Sequence, residues 1–154
     1  MKRTAIYPGT FDPITLGHVD VVTRGLKVFD RIIIGVAENP GKGPMFDLET
    51  RLAMVRETFA NNEGIEAVSF TGLLVNLAHE HHAAALLRGL RAASDFEYEF
   101  QMASMNRHLD ESIESVFVMA REDYTFVSSR FIREISEMDG DVSSLVPKAV
   151  LSRL

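Results

Sequence analysis

A glycine followed by a histidine can offer backbone N–H groups and an imidazole to one anion. Thr15-Leu16-Gly17-His18 presents that pair directly after Tyr7-Pro8-Gly9-Thr10-Phe11-Asp12-Pro13, where prolines and glycines force an unusual backbone path. At a helix start, a glycine lets a ligand approach the backbone, where free N–H groups and the helix dipole favour phosphate. An imidazole in the first turn can then donate a hydrogen bond to a phosphoryl oxygen as negative charge grows on it. A lone Gly-His is more often an ordinary strand–turn–helix with a structural histidine, so the other segments of the chain decide its meaning.

Leu87-Arg88-Gly89-Leu90-Arg91 carries two guanidiniums separated by a glycine that would keep the turn open to a ligand. Arginine suits phosphate because its planar fork binds two oxygens at once. The competing reading is two surface arginines neutralised by Asp95, Glu97 and Glu99. In Tyr124-Thr125-Phe126-Val127-Ser128-Ser129-Arg130, the serines sit where a helix N-cap belongs. Their hydroxyls and the adjoining N–H groups could serve as a plain cap or as a phosphate site. Lys42, in Asn39-Pro40-Gly41-Lys42-Gly43-Pro44-Met45-Phe46, places one ammonium in a loop that could close over an anion. Elsewhere, His79-Glu80-His81-His82 lacks the i, i+4 spacing of a helical metal site and is read as a solvated helix end. No Gly-x-x-x-x-Gly-Lys-(Ser/Thr) loop occurs, which removes the main support for a kinase.

These segments need a scaffold, and the hydrophobic pattern supplies one. Short β-branched runs at Thr4–Tyr7, Arg31–Val36, Ile65–Phe70, Ala84–Leu87 and Ser115–Met119 alternate with helical spacing. Helices are expected over His18–Phe29, from an Asp47 N-cap through Phe59, over Val75–His81, over Ser94–Leu109, from Ser128 through Ile135, and around Pro147–Leu154. The expected fold is a single-domain α/β, Rossmann-like, five-stranded parallel sheet over residues 1–154 with helices on both faces. Ligands bind such sheets beyond the carboxyl ends of the strands, where the segments above fall. Ser94–Leu109 carries two apolar stripes, through Tyr98, Met102, Met105 and Leu109 and through Phe96, Phe100 and Ala103. Its second side is covered either by the core or by another subunit.

Composition narrows the function. The 154 residues are 46% hydrophobic and 25% charged, as in a folded globular protein. With no cysteine, disulfides, thiolate metal sites and cysteine nucleophiles are excluded. A net charge of −6 argues against nucleic-acid binding, so an anionic ligand must meet a local basic cluster. Neither a signal-like leader nor an apolar run near the ~20 residues of a membrane span is visible, so no membrane association and a cytosolic location are expected.

Thr15-Leu16-Gly17-His18 resembles the (His/Thr)-x-Gly-His signature of the nucleotidyltransferase superfamily. The longer Tyr7–Pro13 stretch with Gly17-His18, together with Arg88-Gly89-Leu90-Arg91, Asp95-Phe96-Glu97-Tyr98-Glu99, Asn106-Arg107 and Tyr124–Arg130, resembles the phosphopantetheine adenylyltransferases in order and spacing over nearly the whole chain. The resemblance implies transfer of the adenylyl group of ATP to 4′-phosphopantetheine, with Mg²⁺ accompanying ATP. It implies Thr10, Lys42 and His18 as catalytic residues, His18 stabilising the transition state. It implies ATP contacts from Thr10, Phe11, His18, Gly89, Leu90, Arg91, Glu99 and Tyr124, and from Thr125, Phe126, Val127, Ser128, Ser129 and Arg130. Phe11 and Tyr124 would stand near the base. Thr10, Lys42, Leu74 and Arg88 would contact the acceptor, with the backbone around Leu73. Many relatives carry a second lysine where this chain has Gly43. A homohexamer and feedback inhibition by coenzyme A follow from the same resemblance. Other transferases of the superfamily, acting on nicotinate mononucleotide or, with CTP, on a polyol phosphate, and a non-catalytic nucleotide-binding module are the alternatives.

Overall fold

The computed structural model describes residues 2–38 and 43–154, with the side chains of residues 93 and 94 left aside. Five strands, β1 (Thr4–Gly9), β2 (Arg31–Ala37), β3 (Ile65–Phe70), β4 (Ala85–Leu90) and β5 (Glu114–Met119), form one parallel sheet in the order β3-β2-β1-β4-β5. Between and after them run α1 (Leu16–Gly25), α2 (Leu48–Thr58), α3 (Leu74–Glu80), α4 (Ala93–Leu109), α5 (Ser129–Glu137) and α6 (Lys148–Leu151). The sheet is Rossmann-like: its strand order reverses between β1 and β4, which is where an open α/β sheet forms a ligand crevice.

Strand alternation distributes the core over two faces. Ile6, Ile33 and Leu86 meet Val75, Leu77 and Ala78 of α3 on one face. Tyr7, Ile32, Ile34 and Leu87 meet Val22 of α1, Leu52 and Val55 of α2 and Ile132 of α5 on the other. The continuous Ile32-Ile33-Ile34 run is the expected signature of a strand covered on both sides.

Several boundaries differ from the sequence expectation. Helix α1 begins at Leu16 because Thr15 caps it, its side chain accepting from His18 N, and it ends at Gly25 rather than Phe29. A Cβ at Gly25 would lie 2.5 Å from Leu87 and 2.8 Å from Ile32, so the bare backbone lets α1 cross close to the sheet. Strand β1 continues past Tyr7 to Gly9, and β4 runs three residues past Leu87.

Helix α4 differs more. On it, Glu99 and Asn106 are buried, whereas Phe96, Tyr98, Phe100, Met105 and Leu109 are exposed, with Phe117 and Met119 of the edge strand β5 beside them. A covered core helix is therefore not what this chain builds: Glu99 and Asn106 are enclosed, and apolar side chains of both stripes stand exposed.

Candidate active site

The crevice originates in the β1–β4 ladder. Ala84 N donates to Thr4 O, so Thr4, Ile6 and Pro8 direct their backbone polar groups toward β4. Pairing of β1 with β4 covers only Ala5 with Ala85 and Ile6 with Leu86. At the next even position stands Pro8, which has no N–H to extend the ladder. Its carbonyl instead accepts from Arg88 Nη1 at 3.0 Å. One proline thus stops the ladder and an arginine occupies the gap.

Beyond Pro8 the chain is held from later elements. Arg51 Nη1 donates to Thr10 O at 2.8 Å, Arg133 Nη1 to Asp12 O at 2.7 Å, and Ser129 Oγ to Pro13 O at 2.8 Å. The buried Asp12 carboxylate accepts from Met45 N and Phe46 N, each at 2.9 Å. Phe11, at φ +51°, turns its ring inward, edge-on to Tyr7 and to His18 with centroids 5.5 and 4.9 Å away. Gly9 makes room for it, since a Cβ there would sit 3.0 Å from that ring.

His18 is fixed by its own cap. Thr15 N donates to His18 Nδ1 at 2.9 Å, which places the proton of the neutral ring on Nε2. Loss of hydration in the crevice, then Arg91 and Arg88, lower the His18 pKa to about 3. The ring is therefore a neutral Nε2–H donor rather than an imidazolium.

Both arginines of the Arg-Gly-Leu-Arg segment face the crevice while paired to acids. Arg88 Nε and Nη2 grip the Glu99 carboxylate at 2.9 and 2.6 Å. Arg91 Nε and Nη2 meet Asp95 at 3.1 and 3.3 Å, and Nη1 donates to Val127 O at 2.9 Å. The sequence reading set neutralised arginines against ligand-facing ones, and the two coexist here. Gly89 lies within β4 rather than in an open turn. Its missing side chain leaves room for Val21 of α1, 2.6 Å from where a Cβ would stand.

Two adjoining cavities result. The first, about 230 Å³, is lined by Tyr7, Gly17, His18, Gly89, Arg91, Asp95, Tyr124, Val127, Ser128 and Ser129. The second, about 430 Å³, is lined by Thr10, Ala37, Glu38, Phe70, Leu74, Tyr98, Met102, Asn106 and Phe117. Pro8, Gly9, Arg88 and Glu99 belong to both. Most residues expected to contact ATP fall in the first cavity, and the described residues expected to contact the acceptor, Thr10, Leu74 and Arg88, fall in the second.

Some expected residues lie elsewhere. Phe11 is 2% exposed and lines neither cavity; it supports the His18 ring from behind. Leu90, Thr125, Phe126 and Arg130 also line neither, and Arg130 pairs with Glu134 on the surface of α5. Lys42 lies outside the described residues. Ser128 Oγ caps α5 through Phe131 N at 3.1 Å, and Ser129 gives its hydroxyl proton to Pro13 O. An anion in the first cavity would thus meet the first N–H groups of α5 and the Ser128 hydroxyl proton, but not the hydroxyl proton of Ser129. The sequence reading passed over Asp12, Thr15, Arg51 and Arg133. Thr15 had a signal, a threonine before Leu16 with His18 at N3, whereas Arg51 and Arg133 act on backbone carbonyls, and Asp12 on backbone N–H groups, distant in the chain.

A family model described as cytidylyltransferase-like matches residues 6–135. Fold and crevice together define a nucleotidyltransferase of the cytidylyltransferase-like class. Phosphopantetheine adenylyltransferases from Anaeromyxobacter sp. (strain K) and Methylococcus capsulatus (strain Bath) are 52% and 54% identical over 154 residues, covering 100% of this chain and 94% and 95% of theirs. That of Xylella fastidiosa is 49% identical over 153 residues, covering 99% of this chain and 94% of its own. The chain belongs to the phosphopantetheine adenylyltransferase family. The crystal structure of a lipopolysaccharide core biosynthesis protein from Thermoplasma volcanium shares the fold, with a TM-score of 0.61 at 22% identity over 79% of this chain and 100% of that one.

Proposed function

We infer that this chain transfers the adenylyl group of ATP to 4′-phosphopantetheine, giving dephospho-coenzyme A and pyrophosphate. The observation that carries this reading is the pair of adjoining cavities. A nucleotide in the first and a phosphorylated acceptor in the second would meet at Pro8, Gly9 and the Arg88–Glu99 pair.

In this reading an acceptor phosphate oxygen attacks the α-phosphorus in line, and the bond from that phosphorus to the bridging oxygen breaks as pyrophosphate leaves. A phosphate dianion needs no general base, and the two carboxylates of the first cavity, Asp95 and Glu99, are both held by guanidiniums. The chain's contribution is orientation and charge stabilisation. His18 Nε2–H donates to the α-phosphate as its charge grows. Arg91 and the N-terminal N–H groups of α5 at Ser128 and Ser129 hold the remaining phosphates. Thr10 and Lys42 place the attacking phosphate, while Arg88 and Leu74 guide the acceptor arm. Gly89, Glu99 and Tyr124 border the nucleoside.

Mg²⁺ is taken to enter with ATP. With Asp95 and Glu99 both paired to arginines, the cavity offers no carboxylate cage, so phosphate oxygens and water would supply its ligands. The exposed apolar side chains of α4 support self-association, and six copies is the number the family resemblance implies. Coenzyme A, sharing the acceptor's arm, would act as a feedback inhibitor. Among the described residues no helix is long and apolar enough to cross a membrane, and a cytosolic site of action accords with that.

The test is incubation with Mg²⁺–ATP and 4′-phosphopantetheine, following pyrophosphate and identifying the product by mass. Dephospho-coenzyme A formed with this acceptor, and not with nicotinate mononucleotide or a polyol phosphate, is the expected result. ATP binding without pyrophosphate release from any acceptor would overturn it.

A further inference from the structure

Arg51 is one of the few charged side chains enclosed in this fold, at 2% exposed. A buried guanidinium ordinarily faces a carboxylate, since isolated charge is costly away from water. Among the described residues no carboxylate oxygen lies within 4 Å of this one, and its hydrogen bonds go to backbone. Nη1 donates to Thr10 O and to Ala37 O, each at 2.8 Å, and Nε donates to Phe46 O at 3.1 Å. One rigid planar group thus joins the loop after β1, the end of β2 and the residue preceding the Asp47 cap of α2.

Two of those three carbonyls belong to residues that line the second cavity, Thr10 and Ala37, and none belongs to a residue lining the first. Arg51 itself lines neither. A group that only stabilised the fold would have no reason to discriminate between the cavities, whereas this one acts on a single side of the crevice.

We propose that Arg51 is a positioning residue for the acceptor: its guanidinium fixes the backbone at Thr10 and Ala37, and thereby the place of the Thr10 hydroxyl in the second cavity, without touching substrate. The proposal rests on reading that cavity as the acceptor's. Lysine can follow only part of the pattern, because a single ammonium cannot reproduce the fork that spans Thr10, Ala37 and Phe46. Small displacements of a positioning group are costly in rate even when the fold survives.

The experiment compares wild type, Arg51→Lys and Arg51→Met, measuring kcat/KM for 4′-phosphopantetheine, the ATP dissociation constant by calorimetry, and the melting temperature. The expected result for Arg51→Lys is a fall of ~10-fold or more in kcat/KM for the acceptor, with ATP affinity within about twofold of wild type. Arg51→Met, if it folds, loses more than the lysine variant on the acceptor side alone; if it does not, Arg51→Lys decides. Acceptor and ATP losses that move together with melting temperature would mark a purely structural role and overturn the proposal. So would an acceptor kcat/KM within about twofold of wild type, given the hydrogen bonds lost. Absence of product with the wild-type chain would instead reject the assigned reaction, which the same assay shows separately.

Discussion

The backbone N–H of Thr15 donates to Nδ1 of His18 at 2.9 Å, while the Thr15 side chain accepts from His18 N at 3.3 Å. This reciprocal cap, ordinarily made with Glu or Gln at the third position, here uses an imidazole. The element that starts α1 therefore also sets the tautomer of the residue proposed to stabilise the transition state. Imidazole orientation and helix capping are one interaction.

With its pKa lowered to about 3, chiefly by lost hydration and next by Arg91 and Arg88, His18 stays neutral in the free protein throughout the neutral range. Its ring resonances in a ¹⁵N-edited spectrum should show no titration between pH 5 and 8, values spanning the ordinary imidazole pKa of about 6.5. The sign for folding follows. Below about 6.5 the unfolded chain takes a proton that the folded one refuses until about 3, so acidification through that window weakens the fold. His18→Gln should lessen that pH dependence, and an unchanged dependence would contradict the assignment.

His18→Ala should lower turnover by ~10²-fold or more while ATP affinity stays within about threefold, because the Nε2–H donor matters most as charge builds on the α-phosphate. Single-turnover rates beside calorimetric ATP binding separate the two effects. Equal losses in both would reduce His18 to a binding residue.

Gly17 and Gly89 both line the first cavity, yet substitution should affect them oppositely. At Gly17 an added Cβ meets nothing nearer than Thr15 Oγ1 at 3.4 Å, so Gly17→Ala should leave stability unchanged or raise it by up to ~1 kcal/mol. Its cost should appear as weaker ATP binding. At Gly89 the Cβ would lie 2.6 Å from Val21 Cγ2, so Gly89→Ala should lose about 1–3 kcal/mol in denaturant titration. A stable Gly89→Ala protein would mean that α1 can move aside.

Much of this architecture was legible in the residues because it rests on local pattern. The Ile32-Ile33-Ile34 run, the Asp47 cap with Thr50 N, and the five-strand alternation are each readable within a short window. What could not be read depends on partners distant in sequence. The β1–β4 ladder ends at Pro8, which has no N–H to extend it and whose carbonyl accepts from an arginine 80 positions later. Arg88 and Gly89 were expected in a turn, since the glycine masked a strand that β5 pairs as far as Leu90. Phe11 has the sequence of a ligand-facing aromatic, but Gly9 lets it fold inward beneath His18. Apolar stripes on α4 fitted a buried helix, and only the three-dimensional placement of Glu99 and Asn106 shows which side meets the sheet.

Glu99 occupies the wall common to both cavities, where its carboxylate holds Arg88 at two points. Glu99→Gln removes the charge at nearly constant shape and leaves the Arg88 guanidinium undercompensated. A loss on the order of 2 kcal/mol in unfolding free energy is expected. KM should rise for ATP and for the acceptor alike, in contrast to the one-sided effect expected at Arg51. A rise confined to one substrate would show that Arg88 keeps its place without its partner.

The outward side of α4 sets the last expectation. Phe100 is 60% exposed and lies against Phe96, ring centroids 6.0 Å apart, while Tyr98 and Met105 of the other stripe and Met119 of an edge strand are exposed as well. So much exposed apolar surface is rare on a chain that stays alone in water, and the edge strand β5 adds unpaired backbone groups. A second copy of this chain would cover both, because self-complementary surfaces close into symmetric assemblies. Light scattering should therefore give a mass several times the 17.2 kDa of one chain. Phe100→Glu combined with Met105→Lys should lower that mass while leaving the helix content of the chain unchanged by circular dichroism. Wild type eluting at the mass of a single chain would leave this face without its proposed partner, and an unaltered assembly in the double variant would move the contact to another surface.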